Sequence, residues 1–345
     1  MIIMHFVGHS LVRYTPGRIG TYWGRYTEHT GHTIALRRRE KEYREWRFQE
    51  LLNPAGYYCA RGNPKEWVRA RIQDASVIHC HDDCYPYRIE QRLKVKLDDK
   101  VLVYHAHIGN IPERYFFNNR RFHWDERVKH VCITNGYGRL FDEDETQHRK
   151  GRALHKWGRL PDILDLNHPS YRPWPVLREP YRKGEKLRVI FTYSNNREGD
   201  KINAKRPLAH RRLFHRIHGI DFITMAGKPF EEAQALKRTA HVVLEECFTP
   251  FLHLSALEGA ALGAMILTNF DDYTKRELCT AVGSPVGEFP FYKCTDKTLR
   301  AILCKLRDNP DIVNEWGEKA QRWMFKYYRP EQLLERYIGF YTSGI

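Results

Sequence analysis

Short apolar runs alternate with helix-length amphipathic segments along nearly the whole chain. In the first half the runs Ile2–Val7, Thr33–Leu36, Ser76–His79, Val101–His105 and His130–Thr134 read as strands, with a further short run at Ile163–Leu166. Between them Gly20–Thr30, Pro64–Gln73 and Tyr87–Lys96 carry helical spacing. Strand, turn, helix and strand in repetition is the pattern of parallel βα units. The pattern breaks at Asn167–Lys186, where four prolines suit neither a helix interior nor a central strand. It then restarts with Leu187–Tyr193, Asp221–Thr224, Val242–Leu244, Met265–Thr268 and Phe289–Tyr292, and ends in a helical region over Thr298–Tyr341. The expectation is two doubly wound α/β domains in tandem. They span 1–168 and 187–322, joined by a Pro-rich linker at 169–186 and followed by a terminal helix at 323–345. Such sheets bind ligands where strand C-termini meet helix N-termini, here in a cleft between the two domains.

Composition supports this division. A chain of 345 residues with 42 % hydrophobic and 13 % aromatic residues has material for two packed cores and excludes a disordered polyelectrolyte. No apolar run approaches the ~18–20 residues of a membrane-spanning helix. The opening Met1–His9 lacks the length and flanks of a secretory signal, so a soluble cytoplasmic protein is expected. The eight cysteines are scattered and read as reduced thiols. Charge alters the picture more. The formal net charge is +15, from 57 basic against 42 acidic residues distributed over the whole chain. A basic surface or cleft of that kind attracts polyanions such as nucleic acid or an anionic envelope.

Three segments carry candidate chemistry. After the strand Val242–Leu244, a helix is expected to open around Thr249-Pro250. Its free N–H groups and positive dipole end would seat a diphosphate at Thr249. Glu258 lies further along, beside the small-residue run Gly259–Gly263. It is either a carboxylate for a ribose diol or a solvent-facing group on an amphipathic helix. In the first half, His105 and His107 sit where the strand Val101–Tyr104 ends, and either could hold a hydroxyl or accept its proton. The run His79-Cys80-His81-Asp82-Asp83-Cys84 contains metal-ligand types but has no matching second cluster in the sequence. No obligatory metal is therefore expected, and Asp82 or Asp83 is read as a general base at another strand end. The acidic pair Asp271-Asp272 and the run Asp142–Glu145 lack the setting of a metal-binding carboxylate motif.

These segments together resemble the retaining GT-B glycosyltransferases, in particular glycosyltransferase family 4. The stretch Glu258-Gly-Ala-Ala-Leu-Gly-Ala-Met-Ile-Leu-Thr resembles the second half of that family's paired-glutamate motif. The first glutamate of the pair falls on Pro250, with Glu246 as a stand-in. Ile223-Thr-Met-Ala-Gly-Lys-Pro resembles the family's preceding stretch and makes Gly227 a donor-site residue. Arg197 and Lys205 resemble the cations on the donor phosphates, with Lys201 and Arg206 as alternatives. Pro16-Gly17-Arg18-Ile19-Gly20 resembles the N-terminal glycine loop, where Gly17 and Gly20 would let backbone approach the donor. His105 matches the family's functional histidine.

The resemblance implies a GT-B fold of two Rossmann-like domains facing across a cleft. It further implies a nucleotide-sugar donor of UDP-sugar type, and a terminal helix crossing back to the first domain. The charge adds a likeness to viral DNA-modifying glucosyltransferases acting on hydroxymethylated pyrimidines, which would place the chain in a host cytoplasm. Arg37, Arg38, Arg69, Arg114, Arg120 and Arg121 are the candidate DNA contacts. The alternatives are an envelope or lipid-linked glycan acceptor, served by a basic amphipathic helix near Arg37–Leu52, and a non-catalytic sugar- or nucleic-acid-binding protein.

Overall fold

The computed structural model describes residues 1–8, 15–38, 46–51, 60–62, 65–81, 84–106, 127–133, 156–172, 175, 178–192, 217–225, 228–245, 247, 250 and 252–343. The chain divides into two compact units, one formed by Met1–Asp165 with Pro330–Ile345 and the other by Leu166–Arg329. No described helix is long and apolar enough to cross a membrane.

The first unit is built on β1 (Ile2–Gly8), α1 (Thr15–Tyr26), β2 (Thr30–Arg38), β3 (Trp46–Leu51), β4 (Ala60–Gly62), α2 (Lys65–Asp74), β5 (Val77–His81), α3 (Pro86–Leu93), β6 (Val101–Ala106), β7 (Val128–Ile133) and β8 (Lys156–Arg159). Among the described residues these strands form an eight-stranded sheet in the order β4-β3-β2-β1-β5-β6-β7-β8. It is parallel except for β3 and β4, which extend one edge antiparallel. Three expectations change here. The segment read as a basic amphipathic helix near Arg37–Leu52 holds the end of β2 and β3 instead. The strand expected at Ile163–Leu166 lies earlier, at Lys156–Arg159, and the apolar run is a buried non-strand segment. The helix expected from Gly20 begins at Thr15, so Pro16–Gly20 is helical and not a loop.

Parallel strands alternate their side chains between two covered faces. One face of the first sheet carries Met4, Phe6, Ile78, Cys80 and Tyr104, packed against Val68 and Ile72 of α2 and Ile89 and Leu93 of α3. Helix α3 stops at Lys94, whose left-handed φ of 57° lets its N–H return to the Glu90 carbonyl at 2.8 Å. The other face is covered by α1 through Ile19, Tyr22 and Trp23, whose spacing marks one helical stripe.

The second unit continues with β9 (Leu187–Thr192), β10 (Ile220–Met225), α4 (Phe230–Arg238), β11 (Val242–Leu244), α5 (Leu254–Ala261), β12 (Met265–Thr268), α6 (Asp272–Val282), β13 (Tyr292–Lys293), α7 (Leu299–Asp308) and α8 (Pro310–Tyr327). Its sheet runs β10-β9-β11-β12-β13, parallel throughout. Val189, Val242, Leu244, Met265 and Leu267 face Leu303, Leu306 and Val313 in one core. On the opposite face Gly259 lies so close that a Cβ would meet Ile266 and Val243 at 2.9 Å. The Pro-rich stretch packs into this unit. Tyr181 is buried, its N–H donates to Asn314 Oδ1 at 2.9 Å, and its hydroxyl donates to the Arg307 carbonyl at 2.8 Å. The helical region expected over Thr298–Tyr341 is made of three helices, because Pro310 and Pro330 each start a new one. The last, α9 (Pro330–Ser343), belongs to the first unit.

One ring in the second unit makes its stability pH-dependent. The N–H of Arg188 donates to His241 Nδ1 at 2.9 Å, and burial beside the Arg178 and Arg188 charges pushes this imidazole down to about 4. Unfolded chain binds the proton near the ordinary value of about 6.5, so the cost is absent above that pH and accumulates as pH falls toward 4. We expect the stability difference between wild type and His241→Asn, followed by urea unfolding, to shift by about 1–2 kcal/mol against wild type from pH 7 to pH 4.5 on this half-buried ring.

Candidate functional site

In the first unit the strand register assembles a row of imidazoles. His5 of β1 pairs with His79 of β5, His81 pairs with His105 of β6, and His105 pairs with Cys132 of β7. Paired positions of parallel strands share a face, as do residues two apart, so all five side chains lie opposite the Met4–Phe6 core face. All five are buried.

Hydrogen bonding orders the row. The indole Nε1 of Trp23 donates to His5 Nε2 at 2.8 Å, and His5 Nδ1 lies 3.0 Å from His81 Nε2. An indole only donates, so His5 Nε2 accepts, the His5 proton sits on Nδ1, and Nδ1–H donates to His81. His79 Nδ1 contacts the Tyr341 hydroxyl of α9 at 2.6 Å, and His79 Nε2 lies 3.1 Å from His105 Nδ1 and 3.7 Å from Cys132 Sγ. Burial holds the Tyr341 hydroxyl and the Cys132 thiol well above their ordinary values, so both are neutral at physiological pH. Tyr337 covers the row as well, and its hydroxyl donates to the Pro161 carbonyl at 2.8 Å.

In the second unit, one buried carboxylate lies at the start of α5 and another within it. Glu245, just past β11, accepts the His253 N–H at 2.8 Å and the Thr268 hydroxyl at 3.0 Å, and lies 2.9 Å from His253 Nδ1. It therefore takes an N–H at the α5 N-terminus, where a negative group is favoured by the dipole. That helix begins at Leu254 and not at Thr249-Pro250 as the sequence suggested; the Pro250 carbonyl instead accepts from Thr274 Oγ1 at 2.6 Å. Glu258 is buried on α5 and forms an ion pair with Lys237 of α4, itself buried, which removes the solvent-facing reading. Asp271 caps α6 by accepting the Thr274 N–H at 2.9 Å, which accounts for that acidic pair by helix capping.

The remaining candidates fall as follows. His105 lies within β6 and not at its last residue. Gly17 and Gly20 are in α1, where Gly20 N–H donates to Thr33 Oγ1 at 2.8 Å and a Cβ would lie 2.4 Å from Thr33 N. Close helix–strand packing thus accounts for Gly20 without a ligand. Arg37 and Arg38 close β2. Arg69 donates to the Leu93 carbonyl and sits 3.5 Å from Glu66, so its guanidinium is engaged within its own unit. Asp82, Asp83, His107, Arg114, Arg120, Arg121, Arg197, Lys205, Gly227, Glu246 and Thr249 lie outside the described residues. Sequence reasoning missed His5, Cys132, Lys237 and Glu245. For the first two the available signal was the i, i+2 spacing of His79 and His81, which demands same-face partners on neighbouring strands.

No protein-family model matches the chain, and no curated protein matches it in sequence. Solved structures do match. An α-glucosyltransferase in complex with UDP-glucose and DNA containing an abasic site superposes with a TM-score of 0.61 over 99 % of both chains, at 8 % identity. An α-glucosyltransferase in complex with UDP gives 0.63 over 99 % of this chain and 100 % of that one, also at 8 % identity. The fold is GT-B. Sucrose-phosphate synthase from Thermosynechococcus elongatus has the same architecture, with a TM-score of 0.58, 11 % identity and coverage of 99 % and 98 %. Within a GT-B chain the second unit, with α5 after β11, corresponds to the half in which sequence alone suggested a donor site.

Proposed function

We propose that this protein is a glycosyltransferase that moves a hexose, from a UDP-glucose-type donor, to a hydroxyl of hydroxymethylated pyrimidine in DNA. The observation that carries the reading is the match of both units, over 99 % of each chain, to a glucosyltransferase whose complex contains UDP-glucose and DNA. The net charge of +15 supports a polyanionic acceptor independently. Glu258, held by Lys237, is the proposed donor-ribose carboxylate, with Arg197, Lys205, Gly227 and Thr249 as its proposed companions on the diphosphate side. On the acceptor side, His105 of β6 is the proposed functional imidazole, and Asp82, Asp83 and His107 are the candidate bases. Arg37, Arg38, Arg114, Arg120 and Arg121 are the proposed phosphate contacts; Arg69 is less suited because its guanidinium is already engaged.

The test is incubation with a panel of nucleotide sugars and duplex DNA containing 5-hydroxymethylcytosine, followed by digestion and mass spectrometry of the nucleosides. A hexose increment with UDP-glucose is expected, together with DNA affinity that falls about 10-fold or more between 50 and 200 mM salt. Donor hydrolysis without any nucleoside increment would remove the DNA acceptor and leave envelope and lipid-linked glycans to be tried. Neither hydrolysis nor transfer would remove the catalytic reading itself.

A further inference from the structure

The buried row His5, His79, His81, His105 and Cys132 is larger than glycosyl transfer needs, since only His105 has a part in it. Two overlapping sets of three donor atoms lie on the row, His5/His79/His81 and His79/His105/Cys132, the atoms of each set within 4.8 Å of one another. They differ in their outside partners: in the first, His5 Nε2 accepts from the Trp23 indole at 2.8 Å, and in the second, Cys132 Sγ lies 3.5 Å from the Tyr104 carbonyl. In the second set one nitrogen, His79 Nε2, faces both His105 Nδ1 at 3.1 Å and Cys132 Sγ at 3.7 Å.

Those separations have a specific reading. In tetrahedral zinc coordination, bonds of ~2.0–2.1 Å to nitrogen and ~2.3 Å to sulfur put two nitrogens ~3.3 Å apart and nitrogen and sulfur ~3.6 Å apart. Both distances in the protein fall close to these edges. A ligating histidine also ordinarily has its second nitrogen held by an outer partner that fixes the ring. His79 Nδ1 has that partner in the Tyr341 hydroxyl at 2.6 Å. Two imidazoles and a thiolate form a borderline-soft set that suits Zn²⁺ and excludes Mg²⁺ or Ca²⁺ as the natural occupant.

We propose that His79 Nε2, His105 Nδ1 and Cys132 Sγ form a zinc site that staples the neighbouring strands β5, β6 and β7. Zn²⁺ binds the sulfur as thiolate, and the displaced thiol proton leaves to solvent. His105 joins through Nδ1, so its Nε2 stays outside the site. The inference does not depend on the glycosyl-transfer reading, because metal content and stability are measured without donor or acceptor.

The experiment uses untagged full-length protein, assayed for bound metal by mass spectrometry after zinc loading and desalting, and for thermal stability before and after chelation. About one Zn²⁺ per chain is expected, with a lower melting temperature after chelation that zinc restores. Co²⁺ substitution is expected to add a near-ultraviolet thiolate-to-cobalt charge-transfer band. Cys132→Ser should lose the band and drop zinc to background, whereas His81→Asn should keep both. Sub-stoichiometric zinc with a chelator-insensitive melting temperature would overturn the proposal. So would retention of metal by Cys132→Ser alongside its loss in His81→Asn, which would point to the other triad. Should Cys132→Ser not fold, the presence or absence of the sulfur-to-cobalt band in wild type decides alone.

Discussion

Lys237→Met is expected to destabilise the second unit by about 3–5 kcal/mol, read from urea unfolding. The substitution keeps the volume and apolar stem of the side chain but leaves the Glu258 carboxylate buried with its ammonium partner gone. The double variant Lys237→Met/Glu258→Leu should recover most of that loss, since a buried ion pair replaced as a whole by apolar groups is close to neutral. A loss in the double variant equal to the sum of the Lys237→Met and Glu258→Leu losses would mean that the two charges are not coupled. The same pair separates stability from chemistry. With Glu258 as the donor-ribose carboxylate, the double variant regains its fold and still fails to transfer sugar, a loss of about 100-fold or more in kcat/KM for a buried hydrogen-bonding group.

That pairing was only half visible before the fold was known. Glu258 stood out because a carboxylate ahead of a small-residue run has a functional resemblance. Lys237 did not, because it is one cation among 57 and lies on a different helix. The central strands of the second unit were legible because parallel strands buried on both faces are continuous apolar runs, and β11 and β12 fall at the expected residues, whereas the edge strand expected at Phe289–Tyr292 lies at Tyr292–Lys293. The antiparallel edge was not legible, since β3 is rich in charged and amide residues that suit an exposed helix equally well. The histidine row shows a different limit. His79 and His81 were conspicuous as neighbours, but their partners come from strands up to 76 residues away and meet them only through register.

Gly20→Ala is expected to cost the first unit about 3 kcal/mol, the upper part of the range for forcing a methyl into a packed contact. The added carbon would lie 2.4 Å from Thr33 N and 2.5 Å from the His32 carbonyl carbon, backbone atoms that cannot move aside as a side-chain tip can. It would also press on Thr33 Oγ1, which accepts the Gly20 N–H. The sequence suggested a glycine opened toward a nucleotide sugar, and the two accounts give opposite signatures. Packing predicts a lowered melting temperature with donor affinity retained in the folded fraction. An unchanged melting temperature with lost UDP-glucose binding would return Gly20 to the donor site.

The membership of α9 in the first unit has a consequence for how the chain comes into being. Synthesis ordinarily lets the leading domain finish folding before the next emerges. Here the covering of the imidazole row by Tyr337 and Tyr341 waits until α9 has emerged, and Leu166–Arg329 emerges before it. The trailing unit is thus the first able to close, and until then the leading sheet has its histidine face covered by α1 but not by Tyr337 and Tyr341.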